Sequence, residues 1–252
     1  MKVFKRVLAL VAIAMLLLTM AACGPKDTLV VGITDFAPMD YQNEAGDWIG
    51  YDADLAKAFA ETLGKEAEFV IIEWDNKIAE LENGSIDCVW NGMTLTDEVK
   101  AGMSTSNPYL KNAQVVVMDK AEAAKYTTVE SMKDLQFAVE KGSAGASAAD
   151  ANGLKKTEVL DQATALMEVK AGTSDAAIID LLMAGAMIGE GTSYADLAFS
   201  VELTSEEYGI GFAKDSELTE KLNAFLKEAY EDGTMAELAK QYSISNENII
   251  AQ

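Results

Sequence analysis

Leu81-Glu82-Asn83-Gly84-Ser85-Ile86-Asp87-Cys88-Val89-Trp90-Asn91 and Val169-Lys170-Ala171-Gly172-Thr173-Ser174-Asp175-Ala176-Ala177-Ile178-Ile179-Asp180 follow one pattern. Each reads as a helix end, a glycine stop, two residues, an aspartate, a short apolar strand and a polar residue at the strand's carboxyl end. The two halves of the chain each carry a copy of this unit. In open α/β sheets, ligands bind beyond the carboxyl ends of the strands. Two such sheets facing each other make a cleft with Asn91 on one wall and Asp180 on the other.

Working outward from the first copy, residues 28–33 predict a strand and 34–47 a loop with Pro38 and Gly46. Asp52 is placed to cap a helix whose Leu55, Ala58, Phe59, Thr62 and Leu63 share one face, and Gly64 stops it. Strands at 67–72 and 86–90 flank a short helix at 76–82. Around the second copy come a strand at 136–139, a Gly/Ser/Ala-rich turn at 142–147 that opens a helix, a strand at 158–160, a helix at 162–170 and a strand at 175–179. Residues 114–118 and 208–213 predict two further strands, 121–133 a polar connection, and 217–230 and 234–241 amphipathic helices. Strands alternating with helices imply an α/β class with parallel pairing and crossover helices.

The 252 residues suffice for two domains of roughly 100 residues each. The first 22 differ from the rest. Lys2, Lys5 and Arg6 precede an apolar run from Val7 to Met20, then Ala21-Ala22 and Cys23. A basic start, a short apolar region and small residues before a cleavage point read as an export signal. The run is shorter than the ~20 residues that a spanning helix needs. Met20-Ala21-Ala22-Cys23-Gly24 resembles a bacterial lipobox, which implies a signal peptide at 1–22, lipidation of Cys23 and a tether at 23–27.

The formal net charge is −21, and it becomes more negative once the basic leader is removed. Such a surface repels nucleic acid and anionic headgroups, so neither is an expected partner. With Cys23 lipidated, Cys88 has no partner for a disulfide, and its apolar strand makes it a core residue. The chain has no histidine. That removes Ser-His-Asp and Cys-His catalysis and the commonest zinc sites.

Several further segments carry a resemblance. Ile49-Gly50-Tyr51-Asp52-Ala53-Asp54-Leu55-Ala56 is similar to a G-(F/Y)-D-x-D-L-A helix start, and Gly92-Met93-Thr94-Leu95-Thr96 to a G-(M/I)-T-I-T loop. Ser106-Asn107-Pro108-Tyr109 resembles S-x-P-Y, while Glu207-Tyr208-Gly209-Ile210-Gly211 and Glu231-Asp232-Gly233-Thr234 resemble Y-G-I and D-G-T. In this order they resemble the bacterial ABC-transporter solute-binding proteins of family 3, in the amino-acid-binding branch of the glutamine- and histidine-binding proteins. The resemblance runs from about Leu29 to about Tyr242. It implies a type II periplasmic-binding-protein-like fold of two lobes, each a mixed, mostly parallel sheet flanked by helices, joined by two crossing strands near 113–118 and 201–208. Lobe 1 is then discontinuous, 28–112 and 205–252, and lobe 2 is 113–204. Hinge closure on the ligand is the switching mode of such proteins.

The implied function is the extracytoplasmic, lipid-anchored solute-binding subunit of an ABC importer. It is expected to act as a monomer with a membrane permease, to capture an amino acid or amino-acid-like amine, and to need no cofactor or metal. A free amino acid is a zwitterion, and holding it out of water requires both charges to be compensated. The resemblance assigns the ammonium to Asp180, side-chain contacts to Phe36 and Trp74, and carboxylate donors to Gly92 and Thr94 on the loop through Met93. Ser143 and Ala144 face them at a helix start, which favours anions. Asn91 stands on the cleft wall, and Trp90 is read as core or as support just behind the cleft. Val99 is the departure: there the family carries a carboxylate-binding arginine. Lys77 is the nearest replacement, and Glu140 with Asp180 makes the site acidic, suiting a cationic or non-standard amino compound. A cyclohexadienyl-dehydratase-like enzyme with Glu140 as general acid is a lesser alternative, which Val99 disfavours.

Overall fold

The computed structural model describes residues 27–252. The expected leader, the lipidation site Cys23 and tether residues 24–26 lie outside the described residues.

In chain order the strands are β1 (Thr28–Ile33), β2 (Tyr41–Gln42), β3 (Trp48–Ile49), β4 (Glu66–Ile71), β5 (Cys88–Thr94), β6 (Ser104–Thr105), β7 (Leu110–Asn112), β8 (Gln114–Asp119), β9 (Gln136–Glu140), β10 (Lys155–Val159), β11 (Ala176–Asp180), β12 (Leu197–Glu202) and β13 (Glu206–Phe212). The helices are α1 (Tyr51–Thr62), α2 (Lys77–Asn83), α3 (Asp97–Gly102), α4 (Lys120–Ala123), α5 (Ala144–Ala151), α6 (Gln162–Ala171), α7 (Leu181–Met187), α8 (Leu218–Glu231) and α9 (Thr234–Gln241).

Two sheets organise the molecule. The first runs β4-β1-β5-β13-β6, with β7 also on β13; the second runs β10-β9-β11-β8-β12. Each is mixed. β1 pairs in parallel with β4 and β5, and β9 in parallel with β10 and β11. The strands next to the crossings, β13 and β8, pair antiparallel with β5 and β11. The chain passes between the sheets twice, through Ala113 between β7 and β8 and through residues 203–205 between β12 and β13. The crossings are tied to each other: Leu203 N–H donates to Gln114 O at 2.8 Å, and Gln114 N–H to Thr204 Oγ1 at 3.0 Å.

The repeated unit has a physical basis. α2 ends at Gly84 and α6 at Gly172, with φ of 76° and 73°, in the left-handed region that glycine enters without a Cβ clash. The aspartate that follows then clamps the neighbouring strand. Asp87 accepts from Val30 N–H of β1 at 2.7 Å, and Asp175 accepts from Gln136 N–H of β9 at 2.8 Å. Each acid thus sets where its sheet begins, and so where the carboxyl ends of β5 and β11 emerge.

One local reading is corrected. α1 begins at Tyr51 behind Gly50, whose position carries no side-chain cap. Asp52 is fully buried and caps nothing; it accepts from Gly92 N–H and from Tyr109 Oη–H, both at 2.7 Å. A buried carboxylate needs such donors. The buried face of α1 is accordingly Leu55, Ala56, Phe59 and Ala60, rotated from the one expected. Phe59 packs against the rings of Trp90, Phe212 and Phe225 at 5.5–6.4 Å between centroids, which makes Trp90 a core residue. Cys88 is a buried free thiol.

Candidate ligand-binding cleft

A narrow, closed cleft lies where the carboxyl ends of β5, β9 and β11 meet. Every residue singled out above for ligand contact lines it: Phe36, Trp74, Lys77, Asn91, Gly92, Met93, Thr94 and Val99 from the first sheet's side, and Glu140, Ser143, Ala144 and Asp180 from the second's. Six further lining residues were not anticipated: Thr34, Thr96, Glu98, Gly142, Ser147 and Gln162.

Lining the cleft and being free to bind are different things, and the first wall shows why. Asn91 donates to Thr34 O at 3.1 Å and to Asp40 Oδ2 at 2.8 Å, and accepts from the N–H and hydroxyl of Thr34. Its amide is consumed in holding the loop after β1. The Gly92 N–H is taken by Asp52. The Thr94 hydroxyl donates to Glu206 Oε1 at 2.9 Å, so toward the cleft it offers lone pairs only. Val99 is 3% exposed and belongs to one apolar cluster with Ile72, Trp74, Met93 and Met103. Arg6, outside the described residues, is the only arginine of the chain, so no guanidinium among the described residues substitutes for the one that the resemblance expects at Val99.

Lys77 does reach the cleft. It is 6% exposed, its Nζ lies 4.9 Å from the Trp74 ring centroid, and it donates to Trp74 O at 3.2 Å and to Gly142 O at 3.0 Å. Burial lowers its pKa. Two of its three N–H groups are therefore spent on carbonyls. The bond to Gly142 also bridges the two sides, as does the Lys141–Asp75 pair at 2.9 Å. A Cβ at Gly142 would stand 2.7 Å from Asp75 Cα, so this is a closed arrangement in which the rims touch.

The opposite wall is built of acids. Asp180 ends β11, is 4% exposed, and occupies the cap position of α7 without making a capping bond. Its Oδ1 accepts from Asn112 Nδ2, from Gln114 Nε2 at 3.0 Å and from Tyr208 Oη–H at 2.6 Å. Its Oδ2 accepts from Gln162 Nε2, while its own N–H donates to Gln162 Oε1 at 2.8 Å. Asn112 and Gln114 each donate to Glu206 Oε1 as well, both at 2.7 Å. Two carboxylates thus share the same two amides at the crossing. Burial first, and the Glu206 charge second, push Asp180 up to about 8; hydrogen bonds from Tyr208 and Gln162 oppose the shift.

Glu140, at the end of β9, is 2% exposed and raised well above the usual carboxylate range, first by burial and then by the charges of Asp180 and Asp161. Its Oε1 has no hydrogen-bond partner. Ser143 caps α5, its Oγ accepting from Ala146 N–H at 3.1 Å, which leaves its own hydroxyl hydrogen to donate. The donors left toward the cleft include one Lys77 N–H, the Ser143 hydroxyl, the Thr96 hydroxyl, which accepts from Val99 N–H, and the start of α5. The carboxylates Glu98, Glu140 and Asp180 outnumber the single cation. Among the described residues no group of His, Cys, Asp and Glu stands ready to hold a metal ion.

Known proteins place this geometry. Residues 29–245 match the bacterial extracellular solute-binding proteins, family 3. The arginine-binding extracellular protein ArtP of Bacillus subtilis (strain 168) is 31% identical, over 94% of this chain and 98% of that protein. Among solved structures, an ancestral arginine-binding protein bound to arginine is similar with a TM-score of 0.79 and 33% identity, over 87% of this chain and 99% of that one. The ancestral amino acid-binding protein AncCDT-1, a precursor of cyclohexadienyl dehydratase, is similar with a TM-score of 0.77 and 33% identity, over 85% of this chain and 95% of that one.

The raised Asp180 value has a consequence for stability. An unfolded aspartate titrates near about 3.9, so from there to about pH 8 the ligand-free folded chain keeps a proton that the unfolded chain has lost. That stabilisation is complete below the unfolded value and is lost as pH rises through the folded one. Asp180→Asn should therefore narrow the drop in melting temperature between about pH 5.5 and about pH 8.5. An unchanged drop, measured by calorimetry, would mean that Asp180 ionises in the closed cleft without cost.

Proposed function

Because the chain belongs to the bacterial extracellular solute-binding proteins, family 3, we propose that it is the extracytoplasmic receptor of an ABC importer and that its two lobes close on an amine-bearing, amino-acid-like solute. Asp180 carries this reading. It is a buried acid at a strand's carboxyl end, open to the cleft, with neutral donors around it and no lysine in ion-pair contact among the described residues. An ammonium group brought by the solute supplies the missing charge. The relatives named above as binding proteins support the receptor role.

We read the chain as a binder rather than an enzyme. AncCDT-1 is itself named an amino acid-binding protein, although it is a precursor of a dehydratase. Glu140 would have to act as the acid in a dehydratase-like reaction, and such chemistry needs a firmly clamped substrate carboxylate. Val99, together with the absence of any arginine outside the leader, argues against that clamp. In this reading Cys23 bears the lipid that holds the receptor, as a monomer, at the outer face of the cell membrane beside its permease.

Removal of Asp180 tests the cleft. One partner taken from a buried charge pair costs ~3–5 kcal/mol, or roughly 100- to 4000-fold in affinity. Calorimetric titration of amine-bearing solutes, basic amino acids included, should show binding to the wild type and that loss in Asp180→Ala. Equal affinity of the two proteins, or no amine bound at all, contradicts the reading. Cys23→Ser should move the protein from the membrane fraction to the soluble one. If it resists an alkaline wash, residues 7–20 are a retained anchor instead.

A further inference from the structure

Glu140 has an oxygen that nothing in the fold uses. Its side chain faces the cleft at 2% exposure, and Oε1 is fully buried without a hydrogen-bond partner. Native structures leave few such atoms unsatisfied, and each calls for a physical reason; of the six among the described residues, Glu140 Oε1 alone belongs to a residue that lines the cleft. The strand order shows where it lies. β9 and β11 are neighbours and parallel, with Phe137 opposite Ala176 and Ala138 opposite Ala177. β9 ends at Glu140 and β11 at Asp180, and both residues line the one cleft. That cleft is narrow and the charge of Asp180 acts on Glu140, so a single small molecule reaches both. Gln162 stands between them, bonded to Asp180 through both ends of its amide and within hydrogen-bonding reach of Glu140.

The charges around Glu140 decide what fills the gap. Asp180 and Asp161 face it, and Lys77 is the only cation among its neighbours. That ammonium has two of its N–H groups on Trp74 O and Gly142 O. An anion brought to Oε1 would meet three acids. A neutral donor would satisfy the oxygen and leave the excess charge. A cation does both.

We propose that Glu140 is a second cation subsite, so that the solute carries two positive groups, an amine at Asp180 and an ammonium or guanidinium at Glu140 Oε1. This rests on the reading of the cleft as an amine-binding site and adds the solute class, a short-chained dication. It also makes Glu140 the residue that selects among amines, since Asp180 alone accepts any of them.

Three matched pairs of probes test it by titration calorimetry on the mature chain: L-arginine and L-citrulline, agmatine and N-carbamoylputrescine, and 1,4-diaminobutane and 1-aminobutane. Each pair keeps the skeleton and changes only the second cation. In at least one pair the dication should bind about 10- to 100-fold tighter, the effect of one hydrogen bond between charged groups. In Glu140→Gln that ratio should collapse toward one, with thermal unfolding confirming that the variant is folded. A ratio near one in every pair for the wild type, or a preference that survives Glu140→Gln, overturns the proposal. Monocations that bind without preference and are lost in Asp180→Ala would remove this inference and keep the amine-binding reading. If none of the six binds, both fall.

Discussion

Two carboxylates, Asp180 and Glu206, meet at the place where the chain crosses between its sheets, and they are held by the same pair of amides. Asn112 and Gln114 flank Ala113, the single residue of the first crossing; Glu206 opens β13 straight after the second. Like charges so close cannot both ionise cheaply in a buried setting. Either a proton stays, or a cation arrives. In the proposed reading the crossing and the ammonium site are one piece of chemistry, because Asp180, which would accept the solute's charge, is hydrogen-bonded to residues of both crossings. Tyr208 joins the same cluster through Asp180, so three separated stretches of chain converge on one side chain.

The cleft that follows from this is inverted in polarity from the zwitterion clamp expected of its relatives. The donors that would take a carboxylate are committed elsewhere: Gly92 N–H to Asp52 and the Thr94 hydroxyl to Glu206. The guanidinium position is Val99, sealed into an apolar cluster. What remains toward the solute is largely acceptor. Lys77 does not restore the balance. Its ammonium fastens the two rims through Gly142 O and lies against the Trp74 ring, so it acts chiefly in closure and has one N–H to spare.

Much of the fold was legible because it follows from short-range rules. The glycine stop and strand-clamping aspartate occur twice, and Asp87 and Asp175 perform the same bond in both sheets. The cleft residues were legible as well, since strand carboxyl ends and loop motifs mark them. What could not be read was which atoms were free. Asn91 looked like a wall residue open to ligand, and its amide is spent on Thr34 and Asp40. Asp52 looked like a cap, and it is a buried acid serving Gly92 and Tyr109. These bonds join residues about as far apart in sequence as Asp52 and Tyr109, 57 positions, where periodicity is silent. Gln162 was read only as the start of a helix. Its position just after a strand that borders β9 was the available signal, and the same strand-end rule that found Asp180 would have found it. The lack of any arginine besides Arg6 was equally plain in the sequence, and it closes the search for a guanidinium among the described residues.

In the proposed reading, positive charge brought by the solute completes the cleft. Native mass spectrometry of the freshly purified mature chain, with release and identification of the small molecule it carries, tests this most directly. A basic compound with at least one amine is expected, displaced on acidification as Asp180 takes up its proton. A carried anion or an uncharged solute would contradict it.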